Sequence, residues 1–265
     1  MSLIQPDTGS EPGRLRLTAR QHIRRQTGAH GWQAQEHSVV WPASHTALII
    51  VDMWDRHWSR GATNRVNALA PQINTIACAV RRQGGLVIHA PSDVTSGYID
   101  HAARRTAMAA PYHPLPPLRE HLDPPLPIDD SDGGSDTGEM ASFRAWSCQH
   151  PTITIETEDV LSDDLQEIHN TLQQRSVQHL IYAGVHLNLC VLNRPFGIKR
   201  MVRLGYDVVL VRDATDTMYN PYMPPYVSHE QGTHLMIRYV DQFWCPTIHS
   251  SDLTMALHNG AWLHE

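Results

Sequence analysis

The feature that most constrains this chain is the run Thr46-Ala-Leu-Ile-Ile-Val51, closed by Asp52. Its apolar residues do not alternate with polar ones, so a strand made from them has two dry faces. That requires a parallel sheet with helices on both sides. The pattern then changes period. Val66, Leu69, Ala70, Ile73, Ala77 and Val80 recur at steps of three and four, one apolar helical stripe that Gly84-Gly85 ends. Leu86-Val-Ile-His-Ala90 repeats the buried-strand signal before Pro91. Strand, helix and strand make a βαβ unit with a right-handed crossover.

The rhythm resumes after residue 150. Ile153-Thr-Ile155 reads as a short strand, and Leu165, Ile168 and Leu172 stripe a helix. Leu180-Ile-Tyr-Ala183 is a third buried strand, ending in Gly184, with a helical segment from about Cys190 to Leu204. A strand over 206–211, a loop over 213–226, a helix over 228–239 and a last strand near 244–249 follow. The expected fold is α/β: a doubly wound parallel sheet flanked by helices, within residues 44–265. No internal repeat is present.

Two stretches break the pattern. Residues 1–43 are polar and rich in Gln, Arg and His, and read as an N-terminal arm on the surface. Residues 91–150 hold Pro111, Pro114, Pro116, Pro117, Pro124, Pro125 and Pro127, then the tract Asp129-Asp-Ser-Asp-Gly-Gly-Ser-Asp136. Such a stretch is a long irregular insertion, of the kind used for lids and interfaces. The tract lacks the Glu of a calcium loop in register, so a solvated turn is expected.

Composition excludes several classes. A net charge of −6, from 21 Lys+Arg against 27 Asp+Glu, offers no basic stripe for nucleic acid. No apolar run approaches the length needed to span a bilayer, and residues 1–20 contain no signal-peptide core. The four cysteines, Cys78, Cys148, Cys190 and Cys245, lack CxxC spacing and read as reduced thiols of a cytoplasmic protein. The 18 histidines show no zincin spacing. No metal or other cofactor is expected, and the expected partners are a small-molecule substrate and further copies of the chain.

In open α/β sheets ligands bind beyond the carboxyl ends of the strands. That rule collects Asp52, His89 and the segment Gly184-Val-His-Leu-Asn-Leu-Cys190. A carboxylate thus falls near a thiol at the start of a helix, where backbone N–H groups favour thiolate. The pairing suits nucleophilic catalysis. Trp54, Trp58 and Tyr98 are candidates to wall a pocket for a flat or apolar substrate, with plain core packing as the alternative.

Thr46-Ala-Leu-Ile-Ile-Val-Asp-Met53 resembles the opening strand of the isochorismatase-like cysteine hydrolases. Ala183-Gly-Val-His-Leu-Asn-Leu-Cys-Val191 is similar to that family's nucleophile motif, and Gly205-Tyr-Asp-Val-Val-Leu-Val-Arg-Asp-Ala214 to its following strand. The resemblance runs from about Ala43 to Tyr239. It implies that Cys190 attacks a carbonyl carbon, that Asp52 is the base, and that the backbone N–H groups of His186 and Cys190 hold the oxyanion after a cis Val185–His186 peptide. It further implies hydrolysis of a small amide, urea or carbamate-type C–N bond through a thioester.

Two departures qualify the resemblance. The family's catalytic lysine is missing: Lys199 is the only lysine, on the wrong element, and Glu156 stands at the expected place. Arg144, His89 or His186 are the candidates to supply the positive charge instead. Asn193-Arg-Pro195 also follows the nucleophile directly, so the helix either tolerates Pro195 or bends there. Arg194 is a candidate to bind a substrate carboxylate, or to pair with the acidic insertion. Some relatives hold a metal with an Asp and two His, but Asp55 and His57 do not fit that spacing. The competing readings are an inactive relative that binds a small ligand or protein, and a His-bound metallohydrolase.

Overall fold

The computed structural model describes residues 13–24, 31–140 and 143–259. An eight-stranded sheet runs through it in the order β2-β1-β8-β7-β6-β3-β4-β5. Its parallel part comprises β3 (Thr46–Val51), β4 (Leu86–Ala90), β5 (Val160–Leu161), β6 (His179–Val185), β7 (Asp207–Asp216) and β8 (Thr247–Ile248). Every residue of β3 is buried, as its unbroken apolar run requires. Alternate residues feed two cores. Ala47, Ile49 and Val51 join Ile88, Tyr182 and Met236 on one face, whereas Leu48 and Ile50 join Val66, Ile73 and Ile181 on the other.

Helix α1 (Arg60–Arg82) covers the second face, together with α6 (Ser251–Asn259). Its cap is Ser59, whose hydroxyl accepts from the Ala62 N–H. The other face carries α2 (Ala102–Ala109), α3 (Leu165–Gln174), α4 (Ile198–Leu204) and α5 (His229–Phe243). Helix α5 opens with a capping box between Ser228 and Gln231. No helix among the described residues is long and apolar enough to cross a membrane.

Four expectations change. The described part of the N-terminal arm is no loose wrapping. Strands β1 (Arg14–Arg24) and β2 (Trp32–Pro42) form an antiparallel hairpin that extends the sheet beyond β8. Leu15, Leu17 and Ala19 alternate inward to the core, and buried Asp241 of α5 pairs with Arg20 and His22. The rest of the arm, residues 1–12 and 25–30, lies outside the described residues. No strand forms at Ile153–Ile155, where a turn leads into irregular chain, and the edge strand is β5 instead. Strand β7 extends to Asp216, well into the expected loop. The helix expected over Cys190–Leu204 is broken: a π turn (Leu187–Val191) is separated from α4, because Pro195 has no N–H to continue the ladder.

In the parallel part β3 leads outward through β4 to β5, and β6 leads the other way through β7 to β8. Strands β3 and β6 are adjacent and parallel, with Val51 opposite Gly184. The order therefore reverses between them, where such sheets open a crevice. Gly184 sits at φ +113°, and a Cβ there would lie 2.1 Å from the Val51 carbonyl oxygen. Only glycine lets the two strand ends close to this distance.

Candidate active site

Asp52 leaves the end of β3 with φ 47° and is wholly buried. One carboxylate oxygen accepts the Ser92 N–H at 2.7 Å, from the residue after Pro91 at the end of neighbouring β4. The other accepts Arg194 Nε at 3.1 Å. The Cys190 thiol is the third group that acts on the same carboxylate. Three partners from two chain segments thus converge on a carboxylate with no access to water.

Cys190 stands in the π turn after β6. The Val185–His186 peptide is cis, as the resemblance implies, and the His186 backbone N–H acts on the Cys190 sulfur in favour of its anion. Asn188 anchors the turn. Its amide donates to Asp130 of the insertion at 2.7 Å and to the Met218 carbonyl at 2.9 Å, and its oxygen accepts the Met218 N–H at 2.9 Å. The Arg194 N–H donates to the Cys190 carbonyl at 3.0 Å, so thiol and guanidinium belong to successive turns of one segment. The break at Pro195 is held by Tyr182, whose hydroxyl donates to the Phe196 carbonyl at 2.5 Å.

Burial, followed by the negative charge of Asp52, pushes the Cys190 thiol well up; Arg194 and the His186 N–H oppose this. Burial likewise raises Asp52, against Arg194, the thiol and Ser92. The resting sulfur is therefore a neutral thiol, in place of the thiolate expected at a helix start. Such a pair delivers a nucleophile only as the proton moves to the carboxylate during attack.

None of the expected substitutes for lysine holds Asp52 among the described contacts. Arg144 donates to the Asp93 backbone carbonyl at 3.1 Å. His89 is buried between Gln149 (3.1 Å) and Asp159 (2.9 Å). His186 offers the sulfur its backbone, while its ring meets His57 edge-on at 5.1 Å. Glu156 lines a separate cavity of about 490 Å³ at the amino ends of the strands, with Arg81 and Cys78. Lys199 pairs with Asp123 at 2.8 Å and lies over Trp244. The cation on Asp52 is Arg194, whose Nη2 also reaches Asp93 at 3.4 Å, inside the insertion.

Aromatic side chains flank the site. Trp54 donates its indole N–H to the Ser92 carbonyl at 3.1 Å and stacks on Trp146 at 4.0 Å and 9°. His57 lies over Trp146 at 5.6 Å and against Trp58 at 5.1 Å. Tyr98 accepts the Gln149 N–H at 2.9 Å and so braces the strand segment bridged to Trp54. Burial depresses His57 to about 4 and His186 to about 3, so both rings are neutral near pH 7. Asp55 accepts from Ser147 and Cys148, and His57 Nδ1 from the Ser59 N–H. Both Asp55 oxygens and His57 Nδ1 are thus engaged within the fold. Among the described residues no three His, Cys, Asp or Glu side chains group as metal ligands.

The sequence did not single out Ser92, Asn188 or Trp146. Ser92 was within reach of the strand-end rule, since only Pro91 separates it from β4. Trp146 carries no such signal, lying in the unpatterned insertion.

No family model and no curated protein matches the sequence. Solved structures do. A cysteine hydrolase from Pseudomonas syringae pv. phaseolicola 1448A is 16% identical, with 82% of this chain and 94% of that chain covered and a TM-score of 0.52. An isochorismatase from Pseudomonas putida KT2440 is 16% identical over 79% of this chain and 90% of its own, with a TM-score of 0.48. An isochorismatase-like hydrolase from Alkaliphilus metalliredigens is 13% identical over 81% and 97%, with a TM-score of 0.47. The first of these carries the assignment, with the strand order and its switch point: the chain has the fold of the isochorismatase-like cysteine hydrolases, the family its motifs resemble.

Proposed function

We propose that the protein is a cysteine-dependent hydrolase of a small amide, urea or carbamate-type C–N bond. The observation that supports this reading is the placement of the Cys190 thiol against a buried carboxylate that the Ser92 N–H and Arg194 hold. In the proposed reaction the sulfur bonds to the substrate carbonyl carbon as the thiol proton passes to Asp52. The carbonyl oxygen takes up the displaced electron pair and is met by the His186 and Cys190 N–H groups. Collapse breaks the C–N bond, and the departing nitrogen takes the proton from Asp52. Water then adds to the thioester, giving one proton to Asp52. The sulfur leaves, recovers that proton, and the acid is released.

Ammonia or amine release from a panel of small amides, ureas and carbamates tests the reading. Cys190→Ser should retain the fold and lose turnover, to below about one per cent of wild type, since a hydroxyl is the weaker nucleophile. A Cys190→Ser protein that turns over substrate would exclude the thiol mechanism. Ligand binding without turnover of any compound would leave a binding protein built on a hydrolase fold.

A further inference from the structure

A buried carboxylate beside a thiol is electrostatically incomplete. Moving the thiol proton to Asp52 shifts one negative charge from the carboxylate to the sulfur in a region with little water, and holding that charge there without a cation costs several kcal/mol. Lysine, the residue that meets this need in the resemblance, is absent. The cations near the site have other partners: Arg65 holds Asp136 and Asp216, each at 2.7 Å, and Arg81 holds Asp159. Among the described residues Arg194 is the one cation paired with Asp52.

Its placement is specific. The side chain leaves the turn that follows Cys190, crosses to the end of β3, and gives Nε to the Asp52 oxygen that Ser92 does not use. Asp93, half-exposed, takes Nη2 at 3.4 Å and fixes the guanidinium plane from the solvent side. A guanidinium does not lose its proton in proteins, so it acts as a fixed charge and never as a proton carrier.

We propose that Arg194 is a positioning residue of this site: its guanidinium supplies the positive charge that the Asp52–Cys190 pair requires, in place of the missing lysine. The role rests on the reading of Asp52 as proton acceptor. The charged groups facing the thiol are Asp52 and Arg194; Asp93 faces Arg194, and the nearby His186 and His57 rings are neutral. The substrate carboxylate contact expected of Arg194 is then no longer its main task, because two of its nitrogens are committed within the protein.

The test is the rate at which iodoacetamide, a neutral reagent, alkylates Cys190 between pH 6 and 10, read by mass spectrometry. R194Q should react at least about tenfold more slowly at pH 7, with its profile displaced to higher pH, since an opposite charge at this range favours an anion by about one to three pH units. R194K keeps the charge and should stay nearer wild type than R194Q, whereas a purely structural role would penalise both alike. A wild-type profile in R194Q overturns the proposal. If R194Q fails to fold, D52N/R194Q decides: a folded double variant shows that charge was missing, and an unfolded one overturns the proposal in favour of side-chain shape. Alkylation needs no substrate, so an unchanged wild-type inability to cleave amides would sink the hydrolase while a displaced R194Q profile kept the ion pair.

Discussion

At the scale of single residues, the site is governed by how burial treats charge. Asp52, Cys190, His57 and His186 all have their charged forms disfavoured by burial, and only Asp52 has a cation bound to it. His186 is 1% exposed, and its Nε2 has no hydrogen-bond partner among the described residues. Its folded value of about 3 lies below the ordinary histidine value of 6.5. As pH falls below 6.5 the unfolded chain therefore binds the proton first, and stability is lost until the folded value is reached. The loss amounts to about 1.4 kcal/mol per pH unit for such a group. Between pH 6 and 4, wild type should lose about 2–3 kcal/mol more than His186→Asn in urea unfolding. Parallel pH profiles for the two proteins would show that the ring does not carry this burden.

At the scale of elements, the geometry of the candidate site depends on two strand ends meeting. Register places Val51 against Gly184, and the chain beyond each end carries one member of the thiol–carboxylate pair. Gly184→Ala adds a Cβ 2.1 Å from the Val51 oxygen at a φ of +113°. Backbone strain alone costs about 1–3 kcal/mol in such a position, and relief of the clash must push β3 and β6 apart. We expect a lower Tm together with slower Cys190 alkylation; an alanine variant with wild-type values for both would show that the strand ends tolerate the wider spacing. The π turn is the second device. It ends where Pro195 interrupts the ladder, and the resulting segment keeps Arg194 one turn beyond the thiol.

At the scale of the whole molecule, the sheet is larger than its parallel part. The β1–β2 hairpin closes one edge and places Leu15, Leu17 and Ala19 in the core shared with α1. Leu17→Ala should therefore cost about 2–5 kcal/mol in denaturant unfolding, the range for truncation of a buried leucine. A change near zero would mean that the hairpin is a detachable arm. Asp241, buried on α5, depends on the same hairpin for its hydrogen-bonding partners Arg20 and His22.

The local pattern alone announced the alternation of strand and helix and pointed to Asp52 and Cys190, which the structure brings together. Asp52 ends an unbroken apolar run, and Cys190 follows a third such run by a few positions, because burial and turn chemistry act over neighbouring residues. Even the hairpin had a local signature in Leu15, Leu17 and Ala19, obscured by the polar residues between them. What the fold alone decided was which charge answers which. Arg194 and Asp52 stand 142 positions apart, and nothing in either segment announces the other. Their pairing depends on β3 lying beside β6 and on a helix broken at Pro195. An ion pair in a dry site is decided by separations of about 3 Å, and such distances exist only once the strands have packed.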